Sequence, residues 1–439
     1  MFKDIFALTL VASLRFFGLF IALPAIALYT TSFESSAFLA GIAAGGYAIT
    51  QIIFQTPFGI LSDKYDKKKI IIIGLLIFIA GSLVCAFSDS IAMLIVGRFL
   101  QGAGAIGSVI SAQIAELVRE EQRTKAMAIM GAGIFVGFIL AMILGPLVAG
   151  YLGLNAIFFL TAILNAIALI ILVLKVPPTP SIQYSFSNAP FSDVLKNKNL
   201  QIMNISAFLQ KFLMISTFIV VALTLDCVFF YEEQDLWEVY APASILGLLA
   251  LGPSSILAQK KGYFKQVLLF GIACFALAYC LLGVGVYYET LWVFVVGVFV
   301  FFVGFSIHEP IMQTLTSRYP KAHQKGSALG FFTTMGFVGS ALAAISAGEA
   351  YQNLSLQTLS IVTVCVCVAW GIVMLAFLEN PSNEKNLYFA ITHYPQANYG
   401  RLDSLNGIIE WYSNITQGVV VVKFDNTKIT EQKITQTLQ

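Results

Sequence analysis

Six side chains able to carry a charge or a proton stand inside, or at the edge of, otherwise apolar stretches: Arg15, Arg98, Lys211, Asp226, His308 and Glu309. His308 and Glu309 are adjacent and precede Pro310. In apolar surroundings either could exchange protons near neutral pH. The other reading is that both lie close enough to the end of their helix to be hydrated and structural. Asp226 is a second proton candidate, or an interfacial group beside the acidic loop that follows it. Lys211 either stretches its ammonium toward water or pairs with an acid. Arg15 and Arg98 keep their charge under ordinary conditions. They suit pairing with an acid or an anion, with a change of partner when the protein moves.

The elements that hold these groups follow from composition. The chain has 439 residues, 58% of them hydrophobic and 11% charged, whereas a soluble domain carries about 25% charged residues. Apolar runs long enough to cross roughly 30 Å of hydrocarbon recur along it, and backbone polar groups in lipid require such runs to be helices. Twelve spans are expected, at about 5–29, 37–60, 70–87, 91–117, 126–149, 155–175, 201–226, 238–258, 266–287, 291–313, 327–350 and 357–378. The first is too long for a signal-peptide core and is expected to be retained. The predicted fold class is an all-α polytopic membrane protein with a six-helix bundle in residues 1–175, a central loop in 176–200 and a second six-helix bundle in 201–380. Six cysteines lie in or beside the spans and are expected to be packing residues.

Lys and Arg alternate with the spans. Lys64, Lys67, Lys68 and Lys69, then Arg119, Arg123 and Lys125, then Lys260, Lys261 and Lys265, then Arg318, Lys321 and Lys325 fall in one set of loops. The other set holds acids instead: Glu34, Asp89, Glu232, Glu233, Asp235, Glu238 and Glu289. Basic loops stay in the cytoplasm, so both termini are expected there, in a cell inner (plasma) membrane protein.

The loop after the second span is GILSDKYDKKK, Gly59 to Lys69. It resembles the signature loop of the major facilitator superfamily, with Gly59, Asp63 and Lys67 on the motif positions. Asp66 stands where that family prefers Gly, and Lys67 where Arg is commoner, which removes the bidentate fork. Span four has GRFLQGAGAIGS, in which Arg98, Gln101 and Gly102 match the family's R-x-x-Q-G. Its glycines Gly102, Gly104 and Gly107 are read as close helix packing, since a dinucleotide site needs a strand before them. In span five, Gly137, Gly145, Pro146 and Gly150 look like the antiporter motif of the drug:proton exchangers, with Ala149 replacing one usual Gly. Gly145-Pro146 can bend the helix; the plainer reading is a kinked packing helix. The loop LAQKKGYFK, Leu257 to Lys265, echoes the signature loop with Gln259 in place of the acid. With SLRFFGLFIALP around Arg15 and AELVREEQRTKAM after span four, the chain resembles YajR-type transporters of the drug:proton antiporter group. That resemblance implies a cytoplasmic charge cluster of Asp63, Lys67, Glu116 and Arg123 that holds one conformation, and a transport core around Arg15, Arg98 and Gln101.

Beyond Pro381 the composition changes. LYFAIT, GIIEWYSN and GVVVVKFD are predicted strands, NYGRLDSL a short helix and ITEQKITQTL a closing helix. The βαββα order is a ferredoxin-like α/β domain, residues 385–439, lacking its last strand. It resembles heavy-metal-associated domains, but THYPQANYG has no Cys and only His393, so no metal is expected. Its charge is too balanced for nucleic acid.

The resemblance implies a secondary transporter exporting small amphipathic or drug-like compounds against protons by alternating access. The expected partners are a small-molecule substrate, protons and membrane lipid; the proton gradient stands in place of any cofactor, and the chain is expected to be a monomer. A symporter or facilitator importing a sugar or organic acid would use the same residue types, and a transporter body that only presents a sensory tail is a third reading. An enzyme is not expected, since there is no P-loop, no metal-ligand pair on a helix face and no nucleophile elbow.

Overall fold

A computed structural model describes residues 2–22, 37–118, 122–178, 182–184, 191–231, 237–379, 384–392, 399–414 and 418–438. Long helices occupy the apolar segments: α1 (Phe2–Phe20), α2 (Ala37–Lys64), α3 (Lys67–Ala86), α4 (Ile91–Ala103), α5 (Gly107–Leu117), α6 (Arg123–Leu152) and α7 (Leu154–Lys175) in the first half. The second half has α8 (Phe191–Lys196), α9 (Lys198–Cys227), α10 (Trp237–Lys261), α11 (Phe264–Tyr287), α12 (Leu291–Arg318), α13 (Lys325–Asn353) and α14 (Leu356–Phe377). Each predicted span therefore corresponds to a long helix, except that the fourth is broken into α4 and α5. The far part of the first predicted span, residues 23–29, lies outside the described residues.

The helix starts are set by short polar side chains. Ser90 accepts from the amide of Met93, Asn197 from Asn199 and Leu200, and Ser355 from Thr358, satisfying donors that a first turn leaves open. Asp66 does the same for α3 by accepting from Lys68 N at 3.0 Å. That explains its departure from the signature pattern: an aspartate caps where the family uses glycine. Gly153, at φ 81°, turns α6 directly into α7, and Gly262, at φ 68°, joins α10 to α11; a Cβ would be strained at both.

The two halves pack by one scheme. α1 lies on α6, α2 on the α4/α5 span, and α3 on α4 and α7; correspondingly α9 lies on α13, α10 on α12, and α11 on α12 and α14. Across the halves, α2 meets α13 and α6 meets α10, so each half gives its second and fifth spans to the junction. The repeat extends to single side chains. Lys68, second residue of α3, donates to the carbonyls of Val173 and Val176 at the end of α7. Lys265, second residue of α11, donates to those of Leu375 and Leu378 at the end of α14. A cation at a helix C-terminus satisfies open carbonyls and the dipole together. Apolar side chains such as Ile73, Leu76, Ile170, Val362 and Ile372 face outward, as lipid-facing surfaces require.

The tail forms strands β2 (Glu384–Ala390), β3 (Ile408–Asn414) and β4 (Val419–Asp425), followed by α15 (Glu431–Leu438). The expected short helix is a 3-10 turn, Tyr399–Ser404, and His393 lies outside the described residues. Phe389, Val420, Val422 and Phe424 alternate onto one face and pack with Ile434 and Leu438 of α15. The central loop supplies a fourth strand, β1 (Ile182–Tyr184), which pairs antiparallel with β3 in the order β1-β3-β4-β2. It joins the β3 edge, so it is not a substitute for the missing last strand. The sequence predicts only loop for this segment.

Candidate functional site

Near the middle of the second half, Lys211 of α9 and Glu309 of α12 form an ion pair, Nζ to Oε2 3.0 Å. Lys211 stands about 20 Å along α9 and Glu309 about 14 Å from the end of α12, at 1.5 Å per residue. Both groups are thus deep in spans, and both keep contact with open space, at 27% and 22% side-chain exposure. Gln313, one turn on, donates to Glu309 Oε1 at 3.0 Å. The Lys211 ammonium also lies 4.9 Å from the centre of the Phe305 ring. On α13, Gly336 leaves room for the lysine stem: a Cβ there would come 3.2 Å from Lys211 Cγ. Of the two readings of Lys211, the structure places the ammonium on an acid.

His308 is placed apart from this pair. Its ring is fully buried between Phe275 and Trp370, with centroids 5.6 and 5.2 Å away, and Nε2 lies 3.0 Å from the carbonyl of Leu268. Consecutive helical residues point about 100° apart, so these neighbours serve different faces of α12. The backbone of Asp226 belongs to α9, and its side chain lies outside the described residues.

In the first half, Arg15, Arg98 and Gln101 are fully buried. Arg98 donates to Gln101 Oε1 at 2.8 Å and to Ala43 O at 3.2 Å, and packs on the Tyr47 ring at 4.7 Å; Gln101 donates on to Ser82 Oγ at 2.9 Å. Arg15 joins through the break in the fourth span. Residues 104–106 are not helical, and the freed carbonyl of Gly104 accepts from Arg15 Nη2 at 2.8 Å. Gln51 donates to Gly102 O at 3.0 Å in the same way. The sequence predicts a packing role for these glycines. That is half of their role, since a Cβ on Gly102 would collide with Tyr47 O and Thr50 Oγ1 of α2. Gly102→Val is therefore expected to destabilise the fold by about 2 kcal/mol through overpacking, read as a lowered Tm of the purified protein. Gly131→Ala, where a Cβ meets nothing within 4 Å, is the matched control.

The signature loop joins the two halves. Asp63 accepts from Gly326 N at 2.7 Å, from Ser327 N at 2.7 Å and from Ser327 Oγ at 2.5 Å. These are the opening residues of α13, whose first N–H groups have no helical partner and favour an anion. A backbone fork thus does what the absent arginine cannot. Gly59 and Gly326 make the approach possible, because a Cβ on either would strike backbone of the other. About two turns from the Asp63–Ser327 contact, Thr56 and Thr334 share a hydrogen bond of 2.7 Å. Lys67 and Glu116 form a buried pair at 2.9 Å within the first half, and Arg123 donates to Ala115 O and, across the halves, to Ser317 O at 3.3 Å. The four cluster residues are therefore brought to one end of the protein, with Asp63 serving the other half.

In α6, Gly137 allows contact with α1: a Cβ would come 3.0 Å from Ser13 O. The backbone is helical through residues 145 and 146; Gly145 is buried, and the side chains of Pro146 and Gly150 lie outside the described residues. Phe138 of α6 reaches Phe218 of α9 at 6.4 Å, and Phe218 meets Tyr240 and Phe302 at 5.4 and 5.7 Å. An aromatic wall thus crosses the junction about 10 Å along α9 from Lys211. Among the described residues no three His, Cys, Asp or Glu side chains are grouped to hold a metal ion.

The chain is similar to known proteins. The family model described as Major Facilitator Superfamily matches residues 8–344 and 239–393. The Inner membrane transport protein YajR of Escherichia coli (strain K12) is 34% identical over 84% of this chain and 82% of its own. The Tetracycline resistance protein, class B, of Escherichia coli is 24% identical over 70% of this chain and 78% of its own. Among solved structures, the human organic anion transporter MFSD10 (TETRAN) superposes with a TM-score of 0.73 at 15% identity, covering 85% of this chain and 99% of that one.

Proposed function

Because the chain belongs to the major facilitator superfamily, and so is a secondary transporter in a membrane and not an enzyme, we propose that it exports small amphipathic compounds in exchange for protons. The observation that carries the reading is the Lys211–Glu309 pair, a carboxylate deep in a span, joined to a counter-charge and still partly exposed. Intramembrane acids of this kind mark ion and proton paths. With Glu309 ionised the pair is neutral. With Glu309 protonated, Lys211 is left as a net positive charge that repels a cationic substrate. Proton and substrate then compete for the same place, which is the requirement of exchange. The aromatic wall of Phe138, Phe218, Tyr240 and Phe302 offers apolar and cation–π contact of the kind a lipophilic cation takes. His308 serves packing in this scheme, and Arg15 and Arg98 brace the first half.

The basic loops, and with them the Asp63 end, both termini and the tail, face the cytoplasm of the inner membrane in this reading. The Asp63–Ser327 and Thr56–Thr334 contacts then close the cytoplasmic side. The resemblance of relatives named for tetracycline and multidrug resistance supports export. The test is transport in proteoliposomes under an imposed pH gradient, with a lipophilic cationic dye as probe. Dye movement opposite to the proton gradient, abolished by collapsing that gradient, is expected. Accumulation of a sugar or organic acid along the inward proton gradient, without dye exchange, would replace export by import.

A further inference from the structure

The Glu309 carboxylate meets two kinds of donor. Lys211 Nζ holds its Oε2 at 3.0 Å, and Gln313 Nε2 holds its Oε1 at 3.0 Å. An ammonium donates and never accepts, so it suits only the ionised acid. An amide offers donors on one side and an acceptor on the other. The acceptor side of Gln313 is buried as well, and its Oε1 meets no hydrogen-bond partner among the described residues. A buried carbonyl left open is costly, and protonation of Glu309 supplies a state in which it is used. The terminal amide torsion is roughly two-fold, so a half-turn exchanges the nitrogen and oxygen of Gln313 at nearly the same positions. The amide oxygen then accepts from the new O–H of Glu309, while the Gln313 stem stays where α12 holds it, one turn away.

The charged or titratable groups that act on this carboxylate are Lys211 from α9 and His308 from α12 itself. The other charged residues of the helices packed on α12, which are α5, α6, α9, α10, α11 and α13, stand near helix ends. Gln210 lies beside the pair, but its amide donates to the Phe305 carbonyl at 3.4 Å. Gln313 is thus the contact of Glu309 that fits both protonation states. We propose that Gln313 is the positioning residue of the proton step, holding Glu309 in both states and setting the pH at which the proton is taken up. This rests on the reading of Glu309 as the proton carrier. In uptake a hydronium ion gives one proton to Glu309 and becomes water, the amide turns over, and Lys211 keeps its charge; release is the reverse. Water reaches the pair on its partly exposed side. A hydrogen bond to a charged carboxylate is about twice as strong as one between neutral groups. Removing the amide therefore disfavours the ionised acid more than the protonated one, and the midpoint of uptake should rise by roughly 0.5–1 pH unit.

The test reads the proton on Glu309 directly. Full-length protein in lipid is titrated while infrared difference spectra record the protonated carboxyl band that Glu309→Gln removes. In Gln313→Met the midpoint of that band should rise by the amount given. The band should also move to higher frequency, because the acid O–H has lost its acceptor. The pH profile of exchange in proteoliposomes should shift in step. Thr314→Val, which removes a buried hydroxyl that donates to the Pro310 carbonyl, should change neither midpoint nor frequency. Gln313→Leu is measured beside the methionine variant, so that the result does not hang on the folding of one protein. An unmoved midpoint, an unmoved frequency, or the same shifts in Thr314→Val would overturn the role of Gln313 and leave Glu309 as the carrier. A spectrum with no titrating band that Glu309→Gln removes would instead overturn the carrier itself, so the two failures are told apart.

Discussion

Glu309→Gln is expected to abolish transport driven by a pH gradient, with the rate falling at least about 100-fold, the lower end of the loss typical when a positioned proton-transfer group is removed. The amide is nearly the same size as the acid and still meets Gln313, so the site keeps its shape while losing its exchangeable proton. It also leaves the Lys211 ammonium without its carboxylate. Breaking a buried pair costs about 3 kcal/mol, and the cost here should be smaller because both groups are partly hydrated. A lowered Tm alone would therefore not separate coupling from stability. The double variant Glu309→Gln with Lys211→Met does separate them. Its wall is neutral, its Tm should return toward the wild-type value, and its exchange should stay lost. If Glu309→Gln kept wild-type exchange at every pH tested, the carboxylate would not be the proton carrier. His308→Asn gives the contrasting outcome, since that ring packs against Phe275 and Trp370: lower stability, with the pH dependence of exchange unchanged.

Which parts of this were legible beforehand follows from what each residue meets. Charged residues inside apolar runs stand out because burying them is costly, and Glu309 and Lys211 were visible for that reason. Their partnership was not, because it joins helices 98 positions apart in the chain. His308 and Glu309 look equivalent as neighbours in sequence; only the packing of α12 shows that His308 is buried and Glu309 partly exposed. The Gly102 to Gly107 run is as compatible with a continuous packed helix as with a broken one. The break at 104–106 became evident only through what uses it, the Arg15 guanidinium on the Gly104 carbonyl. The three-residue strand β1 had no sequence signal of its own, since its pairing partner, β3, lies far along the chain. The twelve apolar spans, the tail's strands and the signature loop were readable because each is encoded locally, by run length, alternation or a short motif.

The same contrast between local motif and distant partner governs the second large effect. Asp63→Ala is expected to open the end of the protein where the two halves meet. The aspartate accepts three hydrogen bonds from Gly326 and Ser327, and no other part of α2 offers an acceptor to the first turn of α13 among the described contacts. Bonds to a charged group contribute roughly 1.5–3 kcal/mol each at most, and water replaces part of that when the contact opens. A net bias of about 3 kcal/mol toward the conformation seen is a reasonable scale, and its loss shifts the population ratio by roughly 100-fold. Spin labels at Tyr65 and Lys321, both exposed beside the junction, report it by double electron–electron resonance: the distance distribution should move to longer values in Asp63→Ala. Gly326→Val should give the same shift by a steric route, since a Cβ there would lie 2.6 Å from both Asp63 Oδ1 and Gly59 O. Lys67→Ala should not, because Lys67 pairs with Glu116 inside one half. That split distinguishes a latch made by Asp63 on a helix start from a diffuse charge cluster, in which Lys67 and Asp63 would matter alike. An unmoved distribution in both Asp63→Ala and Gly326→Val would mean that the halves are held together elsewhere, and the Thr56–Thr334 level would be the next place to cut.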